Sequence, residues 1–458
     1  MPLILPGNVG SATAATGFNV ANSCRFNPAD SAYMHKTPDA GNRRTFTFSC
    51  WVKRSLISSA QTLFWAGSSN DDYFAMRFEA NNKFSLFEAV SGATNWGINT
   101  NRVFKDISAW YHVVVAVDTR QGTAANRTKI YFNGIQETNL NTGDGYPAEN
   151  RDTIFNTAVP HQIGHDYVGQ YFGGYIAEAC FLEGSQNAPT DFGEFDDSGI
   201  WKPINVSGLT FGTNGFYLDF EASGNLGNDA NGGTDLTESG LAAIDQSTDT
   251  CTNNFATMNP LDNFYAGSTF SEGNLNLVMA DAPTTWNTST IGVSSGKWYF
   301  EVKELAEGAS GSSQVGVADR PTVSASEELG GLATTFAYTS NGRFRTNNGQ
   351  TAADKPTWGV NDIIGIALDM DASPATVTFT KNGSAAGSTQ NLTATGTGFY
   401  FLAIGAWVDG SVTFSANFGS PAYSESGGNS DGSGYGNFKT APPSGHFALN
   451  TKNLAEYG

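Results

Sequence analysis

Positive charge is scarce in this sequence, and so is charge of any sign. Lys and Arg number 24 against 43 Asp and Glu, for a formal net charge of −19, and charged residues make up 15% of 458. An ordinary soluble domain carries about 25%. Nucleic-acid binding needs clustered Lys and Arg, and only short pairs such as Arg43-Arg44 and Lys53-Arg54 occur. The same deficit argues against an anionic membrane surface. Long apolar runs are missing too: Val113 to Val117 and Ile363 to Ile366 are strand-length, so no membrane insertion is expected. The opening MPLILPGNVG has no basic stretch and a very short apolar run before Pro6, so it does not read as a secretion signal. Cysteine is sparse. Cys24, Cys50, Cys180 and Cys251 lack metal-type spacing, and free thiols are expected unless the protein works outside a cell. Amphipathic helical stripes are absent; the best short candidates are 190–195 and the last ten residues.

What is present points to β-structure. Glycine supplies 53 residues and aromatics 12%, led by 32 Phe. The chain is too apolar for disorder, and its polar residues are Ser, Thr, Asn and Gly, as in turn-rich sheets. In TFTFSCWV, Phe46, Phe48, Cys50 and Val52 share one parity and Thr47 and Ser49 the other, so Cys50 reads as a small buried residue. Further strand signals follow, separated by Gly/Asn/Asp/Ser clusters at short spacing, which is a sandwich signature.

The expected organisation is all-β: two tandem jelly-roll sandwiches with an irregular middle segment. Residues 1–20 form an N-terminal arm, 21–190 the first sandwich, 191–280 an irregular linker region, 281–420 the second sandwich, and 421–458 a Gly/Ser-rich flexible tail. One local pattern recurs. An apolar strand ending in Asp118, a loop, and a strand ending in Asn133-Gly134 is matched by Asp369 and Asn382-Gly383. Asn-Gly is hairpin-turn chemistry, because both residues accept positive φ.

The first block resembles laminin-G-like, concanavalin A-like jelly-roll domains through FTFSCWVK (46–53), Trp110-Tyr111-His112-Val113, KIYFNG (129–134), Ile163-Gly164 and GGYIAEACFLEG (173–184). The acidic step of such closing segments is only partly kept, as Gly174-Tyr175-Ile176-Ala177-Glu178. The second block resembles an SPRY domain through Gly296 to Val302, Val315-Gly316-Val317, Asp362 to Gly365, Asp369, Asn382-Gly383 and Ala416 to Gly419. The whole chain also resembles a recurrent structural protein of tailed bacteriophages, especially marine ones, through 21–55, 211–220, 251–261 and 442–454. That resemblance implies a virion surface or tail-fibre component, made in the bacterial host cytoplasm. It implies contacts with other virion proteins, a homo-oligomer (a trimer by analogy with phage fibres) and attachment to a host cell-surface glycan or receptor.

No catalytic residues are assigned. Jelly-roll glycanases place two carboxylates on alternate strand residues facing a cleft. The nearest pattern, Asp219 and Glu221, sits at a strand end in the weak middle region. A glycan hydrolase is therefore a minor alternative, and a purely structural or capsid-decorating virion protein the main one. His161 and His165 are four apart on a strand-like segment and do not share a face, which disfavours zinc. Calcium is a candidate at Asp71, Asp72 and Asp166, because lectin-like sandwiches bind it in loops. Sugars stack their C–H faces on aromatics and pair their hydroxyls with amides and carboxylates. DDYF (71–74), TNWGINTN (94–101) and HDYVGQYFGGY (165–175) fit that demand, giving Trp96, Tyr167 and Tyr171 as platforms with Asp71 and Asn95 as polar partners. In the second block Trp286, Tyr338 and Trp358 are candidate protein-recognition loop residues.

Overall fold

The computed structural model describes residues 17–263, 265, 267–279, 285–308, 313–407, 411–424 and 428–458. The chain divides into two compact units, 16–252 and 253–458. Most of the expected N-terminal arm lies outside the described residues; at its end Phe18 and Val20 pack into the first unit.

The first unit is a β-sandwich. One sheet runs, in spatial order, Ile135–Gln136, Thr128–Phe132, Trp110–Asp118, Thr45–Arg54, Gly174–Glu183, Ser23–Phe26, Gln246–Ser247, with Phe216–Leu218 also paired to Gly174–Glu183. The other runs Leu140–Asn141, Ala93–Val103, Lys83–Val90, Tyr73–Phe78, Gln61–Gly67, His161–Ile163, Tyr33–Lys36, Thr237–Ser239. Period-2 alternation puts Phe46, Phe48, Cys50 and Val52 from the first sheet against Phe64, Phe74, Met76 and Leu86 from the second, in one core. The four cysteines are free thiols, and Cys24, Cys50 and Cys180 are buried.

The outer face of the first sheet is also buried, which alternation alone does not foretell. Thr47, Ser49, Trp51 and Lys53 point away from the core and are all buried. The cover comes from the expected linker. Phe192, Val206, Phe211 and Tyr217 pack on Val114, Cys180 and Leu182, and Trp201 packs with Trp51, Trp110 and Tyr175. Ion pairs seal the cover: Lys53 Nζ lies 2.7 Å from Asp249 and Arg25 3.2 Å from Asp245. Residues 191–252 thus belong to the first sandwich, and 253 onward to the second unit. Their apolar residues are too widely spaced to read as strands because they serve as a lining over a sheet.

The second unit is another sandwich. One sheet is Thr269–Ser271, Asn276–Met279, Val412–Asn417, Lys297–Ala306, Ile363–Asp369, Thr376–Lys381, Ser384–Ala385; the other is Thr285–Thr288, Phe401–Ala406, Ser313–Ala318, Thr335–Thr339, Arg343–Thr346, Gly349–Gln350. It begins before residue 281, and it includes the C-terminal segment. Phe447–Ala448 pairs parallel with Trp298 and Tyr299. Buried Glu301 accepts the backbone N–H groups of Lys439 and Thr440, each at 2.9 Å. A helix, Thr451–Tyr457, is capped by the Asn450 side chain and buries Leu454. The expected flexible tail is therefore docked wherever it is described, because Phe438, Phe447, Leu449 and Leu454 give it apolar anchors.

The recurring Asn-Gly device is the same in both units. Asn133 and Gly134 have φ of 48° and 79°, and Asn382 and Gly383 have 50° and 84°. The Asn133 side chain accepts from His112 N–H at 2.7 Å, and the Asn382 side chain from Ile363 N–H at 2.8 Å.

Candidate functional site

The second sheet of the first unit has a different outer face from the first. Strand Gln61–Gly67 is buried throughout, but Tyr73, Arg77, Lys83 and Phe87 are part-exposed, and the cover segment packs on the other sheet. Register aligns Thr237, His35, Gln162, Trp65, Ala75, Phe87 and Gly97 across seven strands. One row further along, Thr62, Arg77, Ser85, Asn99 and Asn141 form a second line.

At one end of this face four rings gather. His165 stacks on Tyr171 at 4.3 Å, and Tyr33 lies 4.8 Å from His165, 6.5 Å from Tyr171 and 5.6 Å from His35. Tyr167 is 60% and Val168 56% exposed beside them in sequence. The loop is shaped by Asp166, whose buried carboxylate accepts from Thr62 Oγ1 (2.9 Å), Val168 N–H (3.0 Å) and Gln170 N–H (2.9 Å). Partial burial pulls the His165 imidazole below its ordinary range, with Asp166 opposing, which favours the uncharged ring. His165 Nδ1 is 2.9 Å from Gln162 Oε1.

The ring cluster is tied to mid-sheet by Arg77. Its guanidinium donates to Gln170 Oε1 (3.1 Å) and Glu79 Oε1 (2.7 Å) and lies 4.7 Å over the Phe87 ring. Tyr73 meets Phe87 edge-on at 5.7 Å and stacks on Trp65 at 6.4 Å. Beyond Arg77 lies a polar depression of about 450 Å³ lined by Glu79, Asn81, Lys83, Ser85, Asn99 and Asn141. From the ring cluster to Asn141 the band crosses six inter-strand steps, roughly 29 Å at about 4.8 Å each. Aromatic faces alternating with amides and charged groups along such a band suit an extended, hydroxyl-rich chain.

Several expected site residues sit elsewhere. Tyr167 and Tyr171 share the ring-cluster loop. Asp71 and Asn95 are exposed but belong to the opposite end of the sheet: the 68–72 turn follows the Gly67 end of strand Gln61–Gly67, whereas the ring cluster adjoins its Thr62 end. Trp96 is 1% exposed and packs on Phe74, because it shares inward parity with Ile98 on a strand. Asp166 is spent on its own loop, and Asp72 accepts from Ser91 N–H at 3.0 Å. Among the described residues no three His, Cys, Asp or Glu side chains are grouped to hold a metal, so Asp71, Asp72 and Asp166 do not form one ligand set. His161 points inward and accepts from Asn156 N–H, away from His165.

In the second unit Trp286, Tyr338 and Trp358 are all buried, so they are not recognition-loop residues. Trp286 packs under Leu329 and donates to Arg320 O at 3.0 Å, while Tyr338 and Trp358 join the core beside Phe344 and Phe379. Tyr265, Trp407 and Tyr457 are exposed aromatics of this unit, and Trp407, 44% accessible, has Arg345 5.4 Å over its ring. Trp407 directly follows strand Phe401–Ala406 and was not among the expected site residues. Tyr33, His35 and Arg77 were likewise missed; their outward parity was legible, but their convergence with a loop more than 80 residues away was not.

Two arrangements bear on catalysis. Ser49 Oγ lies 2.8 Å from His112 Nε2, but Trp201 Nε1 donates to His112 Nδ1 at 3.0 Å. An indole N–H can only donate, so the ring proton is on Nε2 and points at Ser49. That tautomer cannot take the serine proton. Burial pushes His112 down to about 3, and the space shared by Ser49, His112, Glu178 and Cys180 has no room for a water. Asp219 accepts from Glu221 N–H at 3.0 Å and so organises its own turn.

Two domain families match the chain. The Concanavalin A-like lectin/glucanases superfamily profile matches residues 29–187. The SPRY domain profile matches residues 297–420. No curated protein sequence matches the chain. Among solved structures, the SPRY domain of human HERC1 is 18% identical, with 31% of this chain and 87% of that one covered and a TM-score of 0.26. A native heptameric SAP-like pentraxin from Limulus polyphemus is 13% identical, covering 37% and 80%, TM-score 0.29. Domain 4 of AbnA, a GH43 extracellular arabinanase from Geobacillus stearothermophilus in complex with arabinotriose, is 18% identical, covering 33% and 66%, TM-score 0.26.

Proposed function

We propose that this chain is a non-enzymatic carbohydrate-recognition protein whose first unit holds an extended glycan along the outer face of its second sheet. The observation that carries this reading is the Tyr33, His35, His165 and Tyr171 cluster joined through Gln170 and Arg77 to the polar depression. Part-exposed stacked rings gain little from folding where they stand, and they suit sugar faces. The setting is a bacteriophage virion surface or tail, on the strength of the sequence resemblance in 21–55, 211–220, 251–261 and 442–454. Copies on one particle would raise weak single contacts to useful avidity. The second unit contributes protein contacts, with Trp407 under Arg345 as its exposed anchor.

The test is a glycan array probed with the full chain in multivalent form, together with binding to candidate host cells. Binding to defined glycans supports the reading. Absence of binding to every glycan and cell type, at avid valency, would favour the purely structural virion protein instead.

A further inference from the structure

The depression at the end of the band is unusual in its balance of donors and acceptors. Three asparagine amides line it, and each has its oxygen tied to the protein. Asn81 Oδ1 accepts from Lys83 N–H at 3.0 Å, Asn99 Oδ1 from Ser85 Oγ, and Asn141 Oδ1 from Gly143 N–H at 3.0 Å. These bonds fix which way each amide faces and leave its NH2 group without a partner among the described residues. The Lys83 ammonium also makes no hydrogen bond or ion pair among the described residues. Glu79 is the one carboxylate in the lining, and its charge is offset by Arg77 at 2.7 Å. The local sum of Arg77, Glu79 and Lys83 is one positive charge, on a protein whose net charge is −19. The distant acidic residues are screened beyond about 8 Å at physiological salt, so the depression acts by its own groups. A neutral hydroxyl offers both a donor and an acceptor and would use this lining poorly. A carboxylate is acceptor-only and uses it fully.

We infer that the depression lined by Asn81, Lys83, Asn99 and Asn141 is a subsite for a carboxylate-bearing sugar unit, of the uronic-acid class. This rests on the glycan reading above and adds its chemical class. The acidic sugar sits at the Asn141 end of the band, and neutral or less charged units run toward Tyr171. Glu79 Oε2 is left to accept from a hydroxyl of the same sugar.

The test uses the full chain and tetrasaccharides of galacturonate, glucuronate and mannuronate, each beside its carboxyl-reduced neutral counterpart, by calorimetry at low and high salt. At least one acidic member should bind 5-fold or more tighter than its neutral form, with the advantage shrinking as salt rises. Lys83→Gln, and separately Asn141→Ala, should erase that advantage while leaving neutral binding in place; both positions lie at the surface. Equal affinity for acidic and neutral forms, or an advantage that survives Lys83→Gln, overturns this subsite and leaves the glycan reading standing. If no oligosaccharide of either kind binds, the subsite falls, while the glycan reading stands or falls on the array and host-cell binding.

Discussion

On one sheet of the first sandwich, strand Thr45–Arg54 is buried at all ten positions; on the other, strand Lys83–Val90 leaves Lys83, Phe87 and Val90 part-exposed. The two sheets share one core, so the difference lies in what covers their outer faces. Over the first, residues 192–250 bring aromatics and carboxylates that match what is beneath: Trp201 for His112, Asp249 for Lys53, Tyr217 for Glu178. Over the second, aromatic rings, amide NH2 groups and an ammonium stay at the surface. A polar side chain beneath a cover becomes structure, and the same chemistry left open keeps its hydrogen-bonding capacity at the surface. Laminin-like alternation by itself does not decide which sheet is which.

The comparison can be broken first where it is strongest. Asp249→Ala strips Lys53 and the Trp110 indole of their shared carboxylate; removing one partner of a buried pair costs roughly 3–5 kcal/mol, read as a drop in denaturant midpoint. Trp96→Ala should cost about 3–5 kcal/mol by opening the core, with lost binding following only from lost folding. A smaller effect comes from Glu178, beneath the cover. Burial raises it to about 7, with Asp219 and Glu221 adding and the 2.6 Å bond from Tyr217 Oη opposing. A carboxyl raised in the folded state lends stability that is full below its ordinary value of 4.5 and is lost as pH rises through about 7. This group's share is roughly 3 kcal/mol at 1.36 kcal/mol per unit. Stability measured from pH 4.5 to 8 should show that decline, and Glu178→Gln should flatten it. On the open sheet the effect on folding is smallest: Tyr171→Ala should move stability by about 1 kcal/mol or less, yet weaken glycan binding at least 10-fold. A Tyr171→Ala protein that binds as wild type would place the sugar elsewhere.

Much of the fold is local and was legible. The parity of Phe46, Phe48, Cys50 and Val52, and the two Asn-Gly hairpins, depend on neighbours in sequence. The cover was not legible, because Lys53 and Asp249 are 196 residues apart and the covering residues carry no strand period. The site was half legible. Tyr167 and Tyr171 stood out in an aromatic, polar loop. Trp96 was misread because Asn95 and Asn99 make its segment look like a loop, whereas the strand's period pairs it with Ile98 inside. Trp286, Tyr338 and Trp358 failed in the same way: aromatic residues near turns were more often core than surface. Tyr33, His35 and Arg77 needed the register of the sheet.

The most direct measurement of the central claim is hydrogen–deuterium exchange on the full chain, with and without saturating amounts of the tightest glycan from the array. The account predicts slower exchange in 164–171, 79–83 and 139–143, the segments along the open band, and no change in 192–218. Protection in 192–218, or confined to the second unit, would contradict it.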